Sequence, residues 1–423
     1  MTAGGDPLNA LIHLDERSAE RPTAPRGPLA GWALAVKANI EVAGRPATAG
    51  TAALADWVPA ADAPLVARLR AAGATVTAIA NMHELAFGAT SVASVHGPVR
   101  NPRDPGRVAG GSSGGSAAAV VAGLVDAAIG TDTGGSCRIP AALCGCVGFR
   151  PTQGRYPGAG MVSLSPTRDT AGPLTRSVAD TRLLDAVMAA DATDAEPLSL
   201  AGLRLGVPRA PYFDDLDAQL SAVVEAALAR LAAAGAQLVD VDLTEVAAIN
   251  ARCAHEIVLY ETPRELALFL ALRRLPVGLR ELVAQVGGDQ ERAALEAQLG
   301  PDAVDAETYR HALVVERPRL QDAYAHAFVA ARLDALVLPT TPVPAPRLDE
   351  DVELELNGRR VPTFLTLIRN TDASSTAGLP CLSIPAGDTA AGLPVGLELV
   401  GPAGGDRRLL RVGEAAEAAL SCA

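Results

Sequence analysis

One lysine and two serine-bearing glycine tracts are the residues of this chain that could do chemistry. Of 36 basic residues, 35 are arginine and one is Lys37. Arginine keeps its proton in proteins, whereas a desolvated lysine can lose it. A site that needs a neutral amine as base cannot use arginine. Lys37 is therefore a catalytic candidate, and the alternative is a single lysine codon that survived drift. The first tract reads Gly110-Gly111-Ser112-Ser113-Gly114-Gly115-Ser116. The second reads Gly130-Thr131-Asp132-Thr133-Gly134-Gly135-Ser136-Cys137-Arg138-Ile139-Pro140.

Three chemistries compete for these tracts. A flexible Gly/Ser linker is one, but apolar segments flank both tracts closely. A phosphate cradle is another, but the Gly-x-x-x-x-Gly-Lys-Ser/Thr pattern is absent. A nucleophilic serine is the third. Gly110 to Gly114 fits the loose Gly-x-Ser-x-Gly elbow pattern. That elbow needs a late histidine, and the six histidines end at His326, 97 residues before the C-terminus. A base other than histidine is expected, and Lys37 is available.

The flanking segments say what positions these groups. The apolar run Trp32 to Val36 reads as a buried strand that delivers Lys37 into a site. Ala117 to Ala122 reads as a short helix whose N-terminus carries the first tract, with free N–H groups there. Leu124 to Ile129 reads as a strand opening into the second tract, with Ser136 at the tip of the turn. Ser113 and Ser116 read as helix-capping serines, with Ser113 a possible helper in a proton relay. Asp132 and Arg138 read as a structural pair bracing the loop. Cys137 reads as small apolar packing rather than a nucleophile.

With Cys144-Gly145-Cys146-Val147-Gly148-Phe149-Arg150-Pro151-Thr152 added to these pieces, the chain resembles the amidase signature family of serine hydrolases. The similarity runs from about residue 27 to the C-terminus, taking in Asp334 to Pro342 and Gly378-Leu379-Pro380. The resemblance implies a Ser–Ser–Lys triad, with Ser136 as nucleophile, Ser112 as bridging serine after a cis Gly111–Ser112 bond, and Lys37 as base. It implies an oxyanion hole of backbone N–H groups from Thr133, Gly134, Gly135 and Ser136. It implies amide hydrolysis through an acyl-enzyme, with no cofactor and no metal.

The family fold is a single large α/β/α unit around a central mixed, twisted sheet. The core is expected at 27–192 and 331–423, with a mostly helical insert at 193–330 shaping the substrate pocket. A weak boundary is expected from Thr193 to Gly202. A helix is expected over Ala218 to Gly235 and a strand over Gln237 to Val241. Within the family the similarity is greatest to members that hydrolyse indoleacetamide and mandelamide, carried by Asn81 to Gly88, Leu356 to Phe364 and Ile368 to Asp372. This implies a small aryl or indole acetamide-like primary amide. Met82, Thr371 and Asp372 are candidate substrate-binding residues, with ordinary core or loop roles as the alternative for each.

Two departures from the family pattern stand out. Ala38 follows Lys37, where an acidic residue is common. Only 36 residues precede Lys37, so the helices that often form a dimer contact are largely missing and a homodimer is in doubt. An acyltransferase of the same fold is an alternative function. So is the amidotransferase subunit that amidates charged tRNA, although Ile139 stands where glutamine is expected there. A non-catalytic binding protein is a third class, against which the intact Lys37, Ser112 and Ser136 argue.

The net charge of −12 argues against a nucleic-acid partner. Six scattered cysteines show no metal-ligand spacing, and reduced thiols in the cytoplasm are expected. No signal peptide or apolar span of membrane length is read. The acidic run Asp349-Glu350-Asp351 reads as a solvated loop.

Overall fold

The computed structural model describes residues 6–15, 26–191 and 196–421. In chain order its strands are β1 Leu11–Leu14, β2 Ala33–Lys37, β3 Thr75–Ala80, β4 Ala127–Asp132, β5 Val147–Arg150 and β6 Thr170–Thr175. They continue with β7 Arg204–Val207, β8 Gln237–Asp240, β9 Ala335–Pro339, β10 Glu353–Leu356, β11 Arg359–Pro362, β12 Cys381–Asp388 and β13 Pro394–Val400. Eleven form one sheet in the order β1-β3-β2-β4-β6-β5-β12-β13-β9-β7-β8, and β10 and β11 make a separate hairpin. The sheet is mixed. The pairs β2–β3, β2–β4, β7–β8 and β7–β9 are parallel. The central β4–β6, β5–β6, β5–β12 and β12–β13 pairs are antiparallel.

Strand side chains alternate between faces, and here the two faces differ in size. Leu34 and Val36 of β2 join Ile79 and Ile129 in the larger core. That core is closed by α1 (Pro64–Ala71), α4 (Val178–Met188) and the helices Ala218–Ala233 and Asp406–Ser421. Ala35, Ala78 and Ala128 face the other way, onto α2 (Gly114–Val121) and α3 (Arg138–Cys144). Lys37 falls on the Ala35 side by the same alternation. Because that face is made of small residues, α2 packs close to it and brings the first glycine–serine tract to the end of β2.

Gly115 shows how close. A Cβ there would lie 2.3 Å from the Asn81 carbonyl oxygen and 2.4 Å from that of Ala10. Both are main-chain atoms of neighbouring segments and cannot rotate away.

Some boundaries differ from expectation. The strand expected from Leu124, β4, starts at Ala127. Asp126 accepts a hydrogen bond from the Ala33 N–H at 2.8 Å, which holds the preceding bend at the edge of β2. The helix expected to start at Ala117 already includes Gly114 to Ser116. Asp217 caps the helix Ala218–Ala233 by accepting from the Gln219 and Leu220 N–H groups. Of the boundary expected from Thr193 to Gly202, residues 193–195 lie outside the described residues. Soon after it, β7 and β8 extend the main sheet, and the chain then runs mainly through helices to Ala330. No described helix is long and apolar enough to cross a membrane.

Gly115→Ala is expected to destabilise the protein by about 1–3 kcal/mol, because overpacking against fixed main chain forces the helix off the sheet. Denaturant unfolding measures this. A variant as stable as the parent would contradict so close a seat for α2.

Candidate active site

Lys37 ends β2 with no exposed surface. Its Nζ donates to Ser112 Oγ at 2.7 Å and to Thr131 Oγ1 at 2.8 Å. Asn39 Nδ2 donates to the same threonine oxygen at 3.2 Å. Burial brings the lysine amine from its ordinary 10.5 down to about 7, against the opposing pull of Cys137, Asp132 and Asp169. Its two hydrogen-bond partners are neutral hydroxyls, so nothing in direct contact restores the charge that desolvation disfavours.

Ser112 follows a cis Gly111–Ser112 peptide and precedes α2. The next N–H, from Ser113, donates to the Ser136 carbonyl at 3.2 Å. The two glycine–serine tracts are thus joined through main chain. Lys37 and Ser112 are sealed from solvent, while Ser136, 9% exposed, lines a cavity of about 830 Å³. Ser113 occupies the N-cap position but makes no side-chain cap. Its hydroxyl instead donates to the Thr131 carbonyl and accepts from the Thr131 N–H. Ser116 is buried in the first turn and is likewise not a cap.

The loop from Thr133 to Ser136 is pinned peptide by peptide. The Thr133 carbonyl accepts from Arg168 Nη2 at 3.1 Å, and the Gly134 carbonyl accepts from Thr371 Oγ1 at 2.6 Å. The Gly135 N–H donates to Asp132 Oδ1 at 3.0 Å. Gly135 therefore leaves the expected set of oxyanion donors, because its N–H is engaged by a buried carboxylate. Thr133, Gly134 and Ser136 line the cavity. Gly135 adopts φ +135°, and a Cβ there would sit 2.3 Å from Thr371 Oγ1, so only glycine fits.

Asp132 anchors the loop. It accepts from Arg138 Nε at 3.1 Å and Nη2 at 3.0 Å, from Arg150 Nη1 at 3.0 Å, and from the Cys137 N–H at 3.0 Å. Burial alone would raise its carboxyl; Arg138 and Arg150 overrule that and hold it well below its ordinary 3.8. The pairing expected of Asp132 and Arg138 is present, with Arg150 as an unforeseen third member. The Cys137 thiol is pushed far above its ordinary 9.0 by burial and by the Asp132 charge, which leaves it a poor nucleophile.

The substrate candidates fare differently. Met82 is a correction: it is fully buried in the main core and does not line the cavity. Thr371 is buried too, and its hydroxyl serves the Gly134 carbonyl. Asp372 does line the cavity, where it accepts from Arg168 and from Asn250 Nδ2. The cavity walls are largely apolar, with Phe87, Leu164, Val258, Leu259 and Ile368 among them. His255, Asn250 and Gln290 are polar points in that wall. The helix Asp289–Ala297 is tied across one side through Glu291, which bonds His83 Nε2 at 2.8 Å. Among the described residues no group of three or more His, Cys, Asp or Glu side chains could hold a metal ion.

Besides Arg150, four residues in direct support were not singled out from sequence: Asn39, Thr131, Arg168 and Asp169. Asp169 accepts from the Thr133 hydroxyl at 2.5 Å. Arg168 and Asp169 are adjacent in sequence and both clasp Thr133, 35 or so positions upstream. Spacing carries no trace of a contact that distant.

The amidase family profile matches residues 6–410. The chain belongs to the amidase family. An indoleacetamide hydrolase of Agrobacterium vitis is 42% identical over 98% of this chain and 90% of its own length. A mandelamide hydrolase of Pseudomonas putida is 39% identical over 99% of this chain and 80% of its own. A solved amidase superposes with a TM-score of 0.84 at 38% identity, covering 97% of this chain and 92% of that one. The α/β amidase fold is therefore shown, and the protein is an amide-cleaving hydrolase.

Asp132→Asn keeps the shape of the anchor but leaves two buried guanidinium groups short of a counter-charge. It is expected to cost about 3–5 kcal/mol of stability, as breaking a buried pair does, and to abolish amidase activity. Denaturant unfolding beside an activity assay checks both. Near-parental stability would remove Asp132 from its anchoring role.

Proposed function

We propose that the protein hydrolyses a small aryl acetamide-type primary amide through a Ser136–Ser112–Lys37 triad. The carrying observation is the buried, weakly basic Lys37 amine bonded to Ser112 Oγ, beside the main-chain link from Ser113 to Ser136. In the first half-reaction Ser136 Oγ attacks the amide carbon. Its proton passes to Ser112, whose own proton passes to neutral Lys37. The carbonyl π electrons move onto oxygen, facing N–H groups of Thr133, Gly134 and Ser136. The tetrahedral adduct then collapses, the C–N bond breaks, and the relay returns a proton so that ammonia leaves. Water repeats the sequence on the acyl-enzyme and releases the carboxylic acid.

Two things support an aryl substrate. The cavity presents apolar walls that gain from burying a ring. Relatives at about 40% identity carry the names indoleacetamide and mandelamide hydrolase. A free carboxylate would find no unengaged arginine or lysine in the wall, since the Arg168 guanidinium beside the cavity already faces Asp372. The five described cysteines are free and buried, in keeping with a reducing cytoplasm. The net charge of −12 is in keeping with a small-molecule partner rather than nucleic acid.

Indoleacetamide, phenylacetamide and mandelamide are expected to be turned over faster than glutamine or malonamate in an ammonia-release assay. Preference for malonamate would defeat the aryl reading. A fluorophosphonate should label Ser136, and peptide mapping to Ser113 or Cys137 would overturn that assignment.

The pH dependence follows from the sign of the lysine shift. Below about 7 Lys37 is protonated and cannot accept a proton; above it the amine is free. kcat/KM should rise about tenfold per pH unit on the acid side and level off above that value. Lys37→Arg and Lys37→Met should both be inactive with the fold retained. Substantial activity in Lys37→Arg would exclude lysine as the base.

A further inference from the structure

Arg168 sits where three parts of the fold meet. Its Nη2 donates to the Thr133 carbonyl at 3.1 Å and to Asp372 Oδ1 at 2.5 Å. Its Nη1 donates to the Ala254 carbonyl at 2.9 Å, at the start of the helix Ala254–Leu272. The other Asp372 oxygen accepts from Asn250 Nδ2 at 2.7 Å. Arg168 is only 2% exposed, yet it reaches the cavity lining. A Cβ on Gly134 would stand 3.4 Å from Asp372 Oδ1 and 3.7 Å from Arg168 Nη2. The ion pair therefore lies directly against the Thr133–Gly134 peptide.

A trans peptide points its carbonyl and its N–H in opposite directions. Holding the Thr133 carbonyl on Arg168 therefore fixes where the Gly134 N–H points. The next peptide shows the same logic with the opposite result: the Gly134 carbonyl is held by Thr371, and the Gly135 N–H is directed to Asp132. Two neighbouring N–H groups are thus sorted by what grips the carbonyl before each. Gly134 has no side chain to restrain its backbone, so the restraint must come from outside. The Thr133 hydroxyl bond to Asp169 fixes the side chain, not the peptide plane.

We propose that Arg168, braced by Asp372 and Asn250, is a positioning residue that keeps the Gly134 N–H aimed at the acyl oxygen as it becomes an oxyanion. The proposal rests on the reading of Ser136 as nucleophile. It also gives Asp372 a role: it holds Arg168 rather than binding substrate.

The test uses the full chain and the variants Arg168→Lys, Arg168→Met and Asp372→Asn, with phenylacetamide as substrate. Two inhibitors separate ground state from transition state. Phenylacetaldehyde gains a bond from Ser136 Oγ to its carbonyl carbon; the π pair moves to oxygen and the serine proton goes to the Lys37 relay. Phenylacetate, the product, forms no such bond. Fluorophosphonate titration counts the folded sites in each preparation.

Per titrated site, Arg168→Met should lose kcat by about 100-fold while KM moves by less than about threefold. Affinity for the aldehyde should fall by a factor similar to that of kcat, with phenylacetate nearly unchanged. Arg168→Lys should restore little, because an ammonium cannot span Thr133, Asp372 and Ala254 together. Asp372→Asn should show the same pattern more weakly, and it carries the test if Arg168→Met fails to fold. The proposal is overturned if kcat per site is retained, or if aldehyde and phenylacetate weaken equally. A parent protein that neither cleaves phenylacetamide nor binds the aldehyde would instead strike the functional reading itself.

Discussion

The carboxylate of Asp132 is the constraint on which the site depends. It receives N–H groups from Gly135 and Cys137, which bracket Ser136, so the conformation of the proposed nucleophile follows from the position of one buried charge. That charge survives burial because Arg138 and Arg150 meet it. Arg138 in turn bonds Glu398 on β13 at 2.6 Å, the Ser374 hydroxyl at 3.1 Å and the Thr371 carbonyl at 3.2 Å. The network thereby ties β4, β5, β13 and the helix Asp372–Ala377 to the loop. Charged networks of this kind contribute little net stability compared with apolar packing of equal volume. What this one provides is a fixed backbone path that no apolar side chain could hold.

Lys37 lies close by and obeys the reverse rule. The two arginines keep their charge because carboxylates face them. The lysine loses its charge because burial disfavours the ammonium and only hydroxyls touch it, which outweighs the pull of Asp132 and Asp169 nearby. The consequence for stability has a definite sign. Between about 7 and 10.5 the unfolded chain holds a proton on Lys37 that the folded chain does not, so this residue's contribution makes stability rise with pH across that window. At neutral pH the protein carries this lysine at a cost to folding. Such a cost is intelligible when the residue is needed as a base, and it gives a reason for a single lysine among 36 basic residues.

The local parts of this arrangement were legible in the sequence. The run to Lys37, the two glycine–serine tracts and the Asp132–Arg138 pair each lie within a few residues, where strand alternation, turn chemistry and helix starts can be read directly. The α/β class followed from the family resemblance that these pieces carry. What was not legible depends on distance along the chain. Met82 sits beside readable residues, but its direction into the core is set by packing across the sheet. The engagement of Gly135 by Asp132 is a matter of peptide orientation, which composition does not record. Arg168 and Asp169 are ordinary polar residues until β6 pairs with β4 and carries them to Thr133. Ser113 and Ser116 were given a capping role from their place at a helix start. Tertiary contacts with β4 and the close seat of α2 assigned them otherwise.

The proposed triad and the cavity wall draw on partly different stretches of the chain. Lys37, Ser112, Ser136 and their anchor come from the first third of the chain and are almost wholly buried. Much of the cavity wall comes from later in the chain, from the helices Thr244–Asn250, Ala254–Leu272 and Asp289–Ala297 and the segment from Asp351 to Asp372, and the stretch from His83 to Ala93 completes it. A hydrogen-bonded route from these helices to the Thr133–Ser136 loop runs through Arg168, by way of Ala254 on one side and Asn250 with Asp372 on the other. Side chains such as Val258, Leu259 or Ile368 can therefore change the shape offered to a ring without moving Ser136, provided Arg168 keeps its three grips. A change that loosens those grips would free the Thr133–Gly134 peptide beside Ser136 even though it touches neither residue's own side chain.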